Sequence, residues 1–319
     1  MKPSSNTADM TKGSPVRLIL TFSVPLIIGN IFQQFYNMVD SIVVGNFVGA
    51  NALGAVGACG SLNWLFFSLS SGLGIGIGVI VSQFYGAKRF DKVSETIANS
   101  FYVLISSALV VSILCYLIAP AVLRLLKTPD DIINDSITYM RTTCLGIVAI
   151  SLYNGVSSIL RALGDSKTPL YFLILSSICN VLLDLLFVIS FGWGVFGVAF
   201  ATILSQALSA VVSLFYAFKK ISYFHLTKKQ LKPDFLIIKN SYRLGVPIAL
   251  QSSMIAVSCV FLQSIVNSFG STVVSAYTIT NRIEQLINQP YNSIGTALTT
   301  YAGQNIGAGD TERVKLGFK

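Results

Sequence analysis

Hydrophobic residues run through this chain in long, nearly uninterrupted stretches, separated by short polar, basic or glycine-bearing connectors. Stretches long enough to cross a bilayer, about 20 residues each, fall at 17–43, 53–85, 95–119, 132–158, 168–191, 196–218, 237–268 and 273–302. The pattern predicts eight transmembrane helices. Pro25 and Pro247 lie inside expected spans and Pro169 near the start of one, which membrane helices tolerate where neighbours re-satisfy the backbone. Residues 1–15 are polar and read as a loose segment.

Composition agrees with the pattern. Of the 319 residues, 53% are hydrophobic and 11% charged, against about 25% charged in soluble domains. The chain is therefore expected to be an all-α integral membrane protein. Its five cysteines (Cys59, Cys115, Cys144, Cys179, Cys259) are scattered through apolar runs, and His225 is the only histidine. A disulfide scaffold and a zinc site are both disfavoured. The first apolar run is too long for a cleavable signal and lacks a small-residue cleavage site.

The net charge of +9 is informative through its placement. With the N-terminus in the cytoplasm, 18 of the 22 basic residues fall in cytoplasmic segments, leaving Arg124 and Lys127 outside and Arg141 and Arg282 within spans. That bias fixes the expected orientation as N-terminus inside, multi-pass, in a cell membrane of the bacterial inner-membrane kind. Lys219 to Arg243 forms one long basic connector, read as a linker held near anionic membrane lipid. No aromatic–basic platform accompanies the charge, so no nucleic-acid partner is expected.

A repeat flanks that connector. QFYGA at 83–87 matches QNIGA at 304–308, an offset of 221. At the same offset Asp91-Lys92-Val93 meets Glu312-Arg313-Val314, and Asn46 and Gly49 meet Asn267 and Gly270. Val24-Pro25 meets Val246-Pro247 after a one-residue slip. A unit of six spans enters the membrane twice from the same side, so the repeat is parallel. The expected division is a six-helix lobe (1–218), a basic cytoplasmic linker (219–236) and the first two helices of a second lobe (237–319). By repeat logic a complete protein would have twelve helices and roughly 440 residues. The chain thus reads as a C-terminally truncated transporter with eight of those helices present.

The polar residues inside the spans carry the candidate chemistry. Gln33, Tyr36 and Asp40 are spaced i, i+3, i+7 and share one helical face. Asn180 and Asp184 are spaced i, i+4 and stack likewise. A carboxylate in a span costs roughly 2.5–3.5 kcal/mol on insertion scales and usually marks an ion pathway. Two such acids brought together cannot both ionise cheaply, so the pair could hold a proton or trade it for Na⁺. The alternative is a structural hydrogen bond between helices. Gly72, Gly74, Gly76 and Gly78 lie mid-span without the strand–helix context of a phosphate loop; interleaved small-xxx-small spacing explains them as close helix contacts. Arg282 and Glu284, two apart, face different ways and are split between a cavity-lining role and a buried bridge. Arg141 is expected to snorkel or pair outside any cavity.

Four motifs in order, QFYNMVD in the first span, RALGDSKTP at 161–169, ICNVLLDLL in the fifth and GVFGVAFAT at 194–202, resemble the multidrug and toxic compound extrusion family. The resemblance implies two six-helix lobes and export of cationic or amphipathic drugs in exchange for H⁺ or Na⁺, with no other cofactor. It places Asp40, Asn180, Asp184 and Thr202 at the cation-coupling site, with Na⁺ as a possible ligand there, and Gln33, Tyr36 and Asn154 on the cavity wall. Ile255 stands where the norfloxacin-exporting branch has a glutamate, so the chain looks more like the DNA-damage-inducible branch. Phe32, Phe35 and Tyr36 would supply aromatic contact to a lipophilic cation.

Three other readings compete. A lipid-linked polysaccharide flippase of the same superfamily would want cationic cavity residues, where the first lobe shows acids. An intramembrane enzyme would need HExxH, a Ser/His dyad or an in-span GxGD pair, and Gly164-Asp165 falls in a loop. A fragment that inserts without transporting is the third.

Overall fold

The computed structural model describes residues 7–126, 128–267, 269 and 271–318; the side chains of residues 61, 260, 263, 264, 267, 271, 272, 274, 275, 278, 279 and 282 lie outside the description. Among the described residues ten α-helices follow one another: α1 (Pro15–Val43), α2 (Ala50–Gly86), α3 (Phe90–Leu125), α4 (Ile133–Leu145), α5 (Ile147–Ala162), α6 (Lys167–Leu185), α7 (Gly194–Lys220), α8 (Phe235–Asn267), α9 (Ser271–Gly307) and α10 (Thr311–Gly317). Among the described residues five helices are long and apolar enough to cross a membrane, or six if α4 and α5 count as one bent span. With α8 and α9, of 33 and 37 residues, they occupy the eight expected positions. The architecture is that of an all-α integral membrane protein.

The fourth expected span, 132–158, is not one straight helix. It bends by 48° between α4 and α5. Gly146 sits at the break, and a Cβ there would lie 2.7 Å from Ile203 Cγ1. The kink thus lets α7 pack into the angle, a specific cause of the kind such bends require.

The glycine series of α2 does what its spacing predicts, on two faces at once. A Cβ on Gly72 would fall 2.5 Å from the Ala249 nitrogen, and one on Gly76 2.6 Å from the Gly245 nitrogen, so this face meets α8 backbone to backbone. Gly74 and Gly78 look instead at α5, where a Cβ would lie 3.6 Å from the Asn154 carbonyl and 3.3 Å from that of Ser158. One helix therefore lies in close contact with two neighbours, and on the α8 face side chains at Gly72 and Gly76 would hold the backbones apart.

The N-terminal segment expected to be loose is docked over its described part. Residues 8–13 run as a strap between the two parts of the chain: Ala8 N donates to Gly164 O (3.1 Å), and fully buried Met10 donates through its N–H to Gln304 Oε1 (2.9 Å). Asn305 Nδ2 donates to Met10 O (3.1 Å), and Arg313 Nη2 to Gly13 O (2.6 Å). Gly164 has φ +91°, and a Cβ on it would collide with Ala8 O at 2.1 Å, so glycine is needed there for both reasons. Polar composition suggested looseness; backbone hydrogen bonds to buried amides override it.

The basic connector is likewise anchored. Ile221, Tyr223 and Phe224 are buried, Tyr102 OH donates to Leu231 O (2.8 Å), and Asp234 N donates to Asn99 Oδ1 (2.8 Å). Asp234 then caps α8 by accepting from Leu236 N (2.9 Å). Burial, together with the neighbouring Tyr85, pushes the Tyr223 phenol up to about 12. The lysines stay exposed on this docked frame.

Arg141 is exposed and lies over the Tyr116 ring at 5.0 Å, outside the interior, as expected. Among the described residues Glu284 is exposed and accepts from Asn288 (3.5 Å), and it neither lines the cavity nor forms a buried bridge; the Arg282 side chain, like that of Asn267 and the whole of Gly270 and Lys127, is outside the described residues.

Candidate functional site

The first helix presents Gln33, Tyr36 and Asp40 along one stripe, and all three line a cavity of about 570 Å³, within the range of small-molecule sites. Helix α6 supplies Asn180 and Asp184, which are 1% and 0% exposed and stacked one turn apart. The Asp40 and Asp184 carboxyl groups lie against each other. The Asn180 amide sits between α6 and α7: in the orientation that satisfies both its groups, its NH₂ donates to Asp184 Oδ2 (2.9 Å) and its oxygen accepts from Thr202 N (3.2 Å). Thr202 Oγ1 donates to Val198 O (3.1 Å), tying that hydroxyl to its own helix. Four residues from three helices, Asp40, Asn180, Asp184 and Thr202, thus form one cluster.

Two local features aim these side chains. Both α1 and α6 end in a π-helical turn, Val44–Val48 and Leu186–Ser190, four and two residues past the acids. Such widened turns recur beside functional sites because they shift the helical register locally. Beyond α6, Phe187, Trp193 and Phe200 pack ring against ring, with Phe187 and Trp193 at 5.0 Å.

One oxygen of each acid, Asp40 Oδ1 and Asp184 Oδ1, is buried with no hydrogen-bond partner among the described residues. A buried carboxylate oxygen without a donor is costly. The arrangement can accept a proton between the two acids, or a hard cation that takes oxygen ligands.

Asn154 lines the same cavity from α5. Phe32 and Phe35 do not: they are 45% and 58% exposed, on the outer side of α1. One residue is 100° of rotation on a helix, and Phe32 and Phe35, each one position before Gln33 and Tyr36, fall on the side that turns away, whereas Gln34 and Asn37, each one position after, still border the cavity. The aromatic wall is built instead by Trp64 and Phe67 of α2, stacked at 5.8 Å, and by Tyr139 of α4. Tyr139 is 7% exposed and packs near Asp40 and Tyr36. Sequence reading missed it because nothing local to α4 shows which face turns toward α1.

Arg161 is the second surprise. Expected in a cytoplasmic loop, it is in the last turn of α5, half-buried, and it lines the cavity as well as a smaller one of about 410 Å³ beside it. The loop that follows it starts later, at Leu163, and Asp165 there is a helix cap: it accepts from Lys167 N (3.1 Å), Thr168 N (2.9 Å) and Thr168 Oγ1 (2.6 Å).

A multi-span all-helical body around a cavity with an acid cluster in its wall defines a membrane transporter. The MatE family model matches residues 25–186 and again 247–318. The chain belongs to that family. The two matched stretches begin at Pro25 and Pro247, the pair that the internal repeat sets against each other. Over 309 residues the chain is 35% identical to the probable multidrug resistance protein YpnP of Bacillus subtilis, covering 96% of this chain and 68% of that protein. It is 24% identical over 300 residues to the probable multidrug resistance protein NorM of Thermotoga maritima, covering 93% of this chain and 64% of that one. A solved structure of a multidrug resistance MATE family transporter in its outward-facing conformation superposes with a TM-score of 0.92 at 26% identity, over 100% of this chain and 70% of the other.

Proposed function

We propose that this chain exports amphipathic organic cations in exchange for H⁺ or Na⁺, with Asp40 and Asp184 as the coupling pair and Asn180 and Thr202 as its neutral supports. The observation that carries the reading is the facing pair of carboxyl groups, Asp184 buried and Asp40 half-buried, each with a buried oxygen that lacks a donor among the described residues, beside a cavity of drug size. Cation binding there neutralises the pair; cargo release follows if the ion and the cargo favour different conformations, since exchange needs differential affinity between states. Tyr36, Trp64 and Phe67 offer ring faces to a lipophilic cation, and Gln33 and Asn154 offer amides. The multidrug resistance proteins to which the chain is similar support this reading.

In the same proposal the N-terminus is cytoplasmic and the membrane is the cell membrane. Residues 1–218 form one lobe, 219–236 the linker, and 237–319 the opening helices of a second lobe.

The test is dye efflux from cells making the chain, beside its Asp40→Asn form. Energy-dependent efflux of a fluorescent cationic dye, lost in Asp40→Asn while membrane insertion is unchanged, is the expected result. Equal efflux from both forms would remove Asp40 from coupling.

A further inference from the structure

The seam between the two parts of the chain is lined with glycine. At Gly72, Gly76, Gly86 and Gly307 a Cβ would fall 1.9–2.6 Å from the backbone of the facing part. Surfaces that meet in this way have no side-chain knobs to withdraw when they part. The strap at residues 8–13 crosses the seam. Ala8 N donates to Gly164 O in the first part, whereas Met10 N donates to Gln304 Oε1 and Asn305 Nδ2 donates to Met10 O in the second. Gln304 Nε2 reaches back to Ala162 O (2.9 Å), so one side chain joins α9, the strap and the end of α5.

These contacts lie just past the cavities. Arg161, Asn292 and Thr296 border both of them, and Ala162, Thr299 and Thr300 the smaller one. Gln304 is four residues beyond Thr300, about one turn farther along α9. The strap is anchored by Met10, which is 0% exposed among Ile19, Phe22, Ala297 and Tyr301, while Asp9 and Lys12 are exposed. A short segment held by one buried side chain and a few backbone hydrogen bonds belongs to the low-stability end of a fold, from which moving elements are drawn. The basic connector, by contrast, docks on its own side of the seam: Tyr223 packs on Tyr85 (5.9 Å), and Asp234 N donates to Asn99 Oδ1.

Resting on the export reading above, we propose that the strap is the latch of a gate at the membrane face where the N-terminus lies, cytoplasmic in that reading. Docked, it staples the glycine seam and keeps that face closed. Released as a unit, with Met10 out of its pocket and Gln304 free of Ala162, it lets the two parts separate and cargo reach the cavities from that side. Water at that face replaces the hydrogen bonds given up, so release exchanges partners rather than losing them.

The test measures the seam in the purified full chain in phosphatidylcholine nanodiscs, with its five cysteines replaced by serine. Nitroxides at Arg89→Cys and Ala308→Cys, exposed positions on opposite sides of the seam, report its opening by double electron–electron resonance. Arg89→Cys with Lys220→Cys, both exposed in the first part, is the control pair, and trypsin cleavage after Lys12 reports release of the strap. Met10→Asp puts a charge in an apolar pocket and expels the strap, whereas the volume-conserving Met10→Leu keeps it docked. Met10→Asp is expected to speed cleavage and to raise the ratio of long to short distances across the seam at least about tenfold, the scale of one lost buried contact. Met10→Leu and the control pair should not change. Faster cleavage with an unchanged seam overturns the latch, and so does lengthening of the control pair, which marks general loosening. If Met10→Asp does not fold, Ala8→Pro combined with Arg313→Gln decides by the same readouts, since it removes the Ala8 donor and the Arg313 bond to Gly13 O. A strap that stays docked in these variants overturns the latch as well. No cargo enters this measurement, so absent dye efflux would remove the export reading without altering the seam result.

Discussion

Gly86 and Gln304 meet across the two parts of the chain in the same way as Gly307 and Gln83: a Cβ on either glycine would lie 1.9 Å from the carbonyl oxygen of the facing glutamine. All four are motif positions, the first and fourth residues of QFYGA and QNIGA, related by the offset of 221. Residue i of one copy touches j of the other while j touches i, which is the signature of a two-fold contact. Gly303 lies between, where a Cβ would fall 2.0 Å from Ser82 Oγ. Repeat and packing are thus one fact seen in sequence and in space.

Gly86→Ala and Gly307→Ala should therefore be equally damaging. Forcing a methyl into backbone contact costs typically 1–3 kcal/mol and here about that or more. Gly57→Ala is the control, since nothing lies within 4 Å of its Cβ position and alanine is the better helix former by roughly 1 kcal/mol. Melting temperatures of the purified proteins in detergent should fall for the first two and hold or rise for the third. A tolerated Gly86→Ala would mean that the two parts do not touch there.

Gln304 is fully buried and spans three segments, accepting from Met10 N (2.9 Å) and donating to Ala162 O (2.9 Å). Gln304→Leu leaves both backbone groups without that partner, at about 1–3 kcal/mol each. The expected local consequence is release of the strap at residues 8–13, read as faster amide hydrogen exchange at Met10 while the middle of α3 is unchanged. Uniform acceleration across the chain would show a global role instead.

The cavity wall makes a prediction that the first helix alone would have given the wrong way round. Phe67 lines the cavity and stacks on Trp64, whereas Phe32 is 45% exposed on the outer face of α1. Phe67→Ala should raise the Kd for a cationic dye by about fivefold to tenfold, corresponding to a lost cation–π and packing contact of about 1 kcal/mol or slightly more. Phe32→Ala should change it less than twofold. The reverse order would place the dye outside this cavity.

How much of this was legible beforehand depends on the range of the interactions. The spans, the parallel repeat, the Gln33–Tyr36–Asp40 stripe and the Asn180–Asp184 stack are set by spacing within a helix, and bilayer thickness and 3.6-residue periodicity act locally. The α2 glycines were readable for the same reason, though not which neighbour each faces. What the tertiary structure alone decided is what faces what. It brought Asp40 against Asp184 across 144 positions of chain, turned Tyr139 and Arg161 toward the cavity, sent Phe32 and Phe35 away from it, bent the fourth span at Gly146, and docked the polar strap and basic connector onto buried amides and rings. A bilayer rewards apolar runs wherever they occur, so sequence fixes how many helices enter it. Which faces close on one another is settled by backbone approach and hydrogen-bond satisfaction between distant segments, and a linear pattern does not carry those terms.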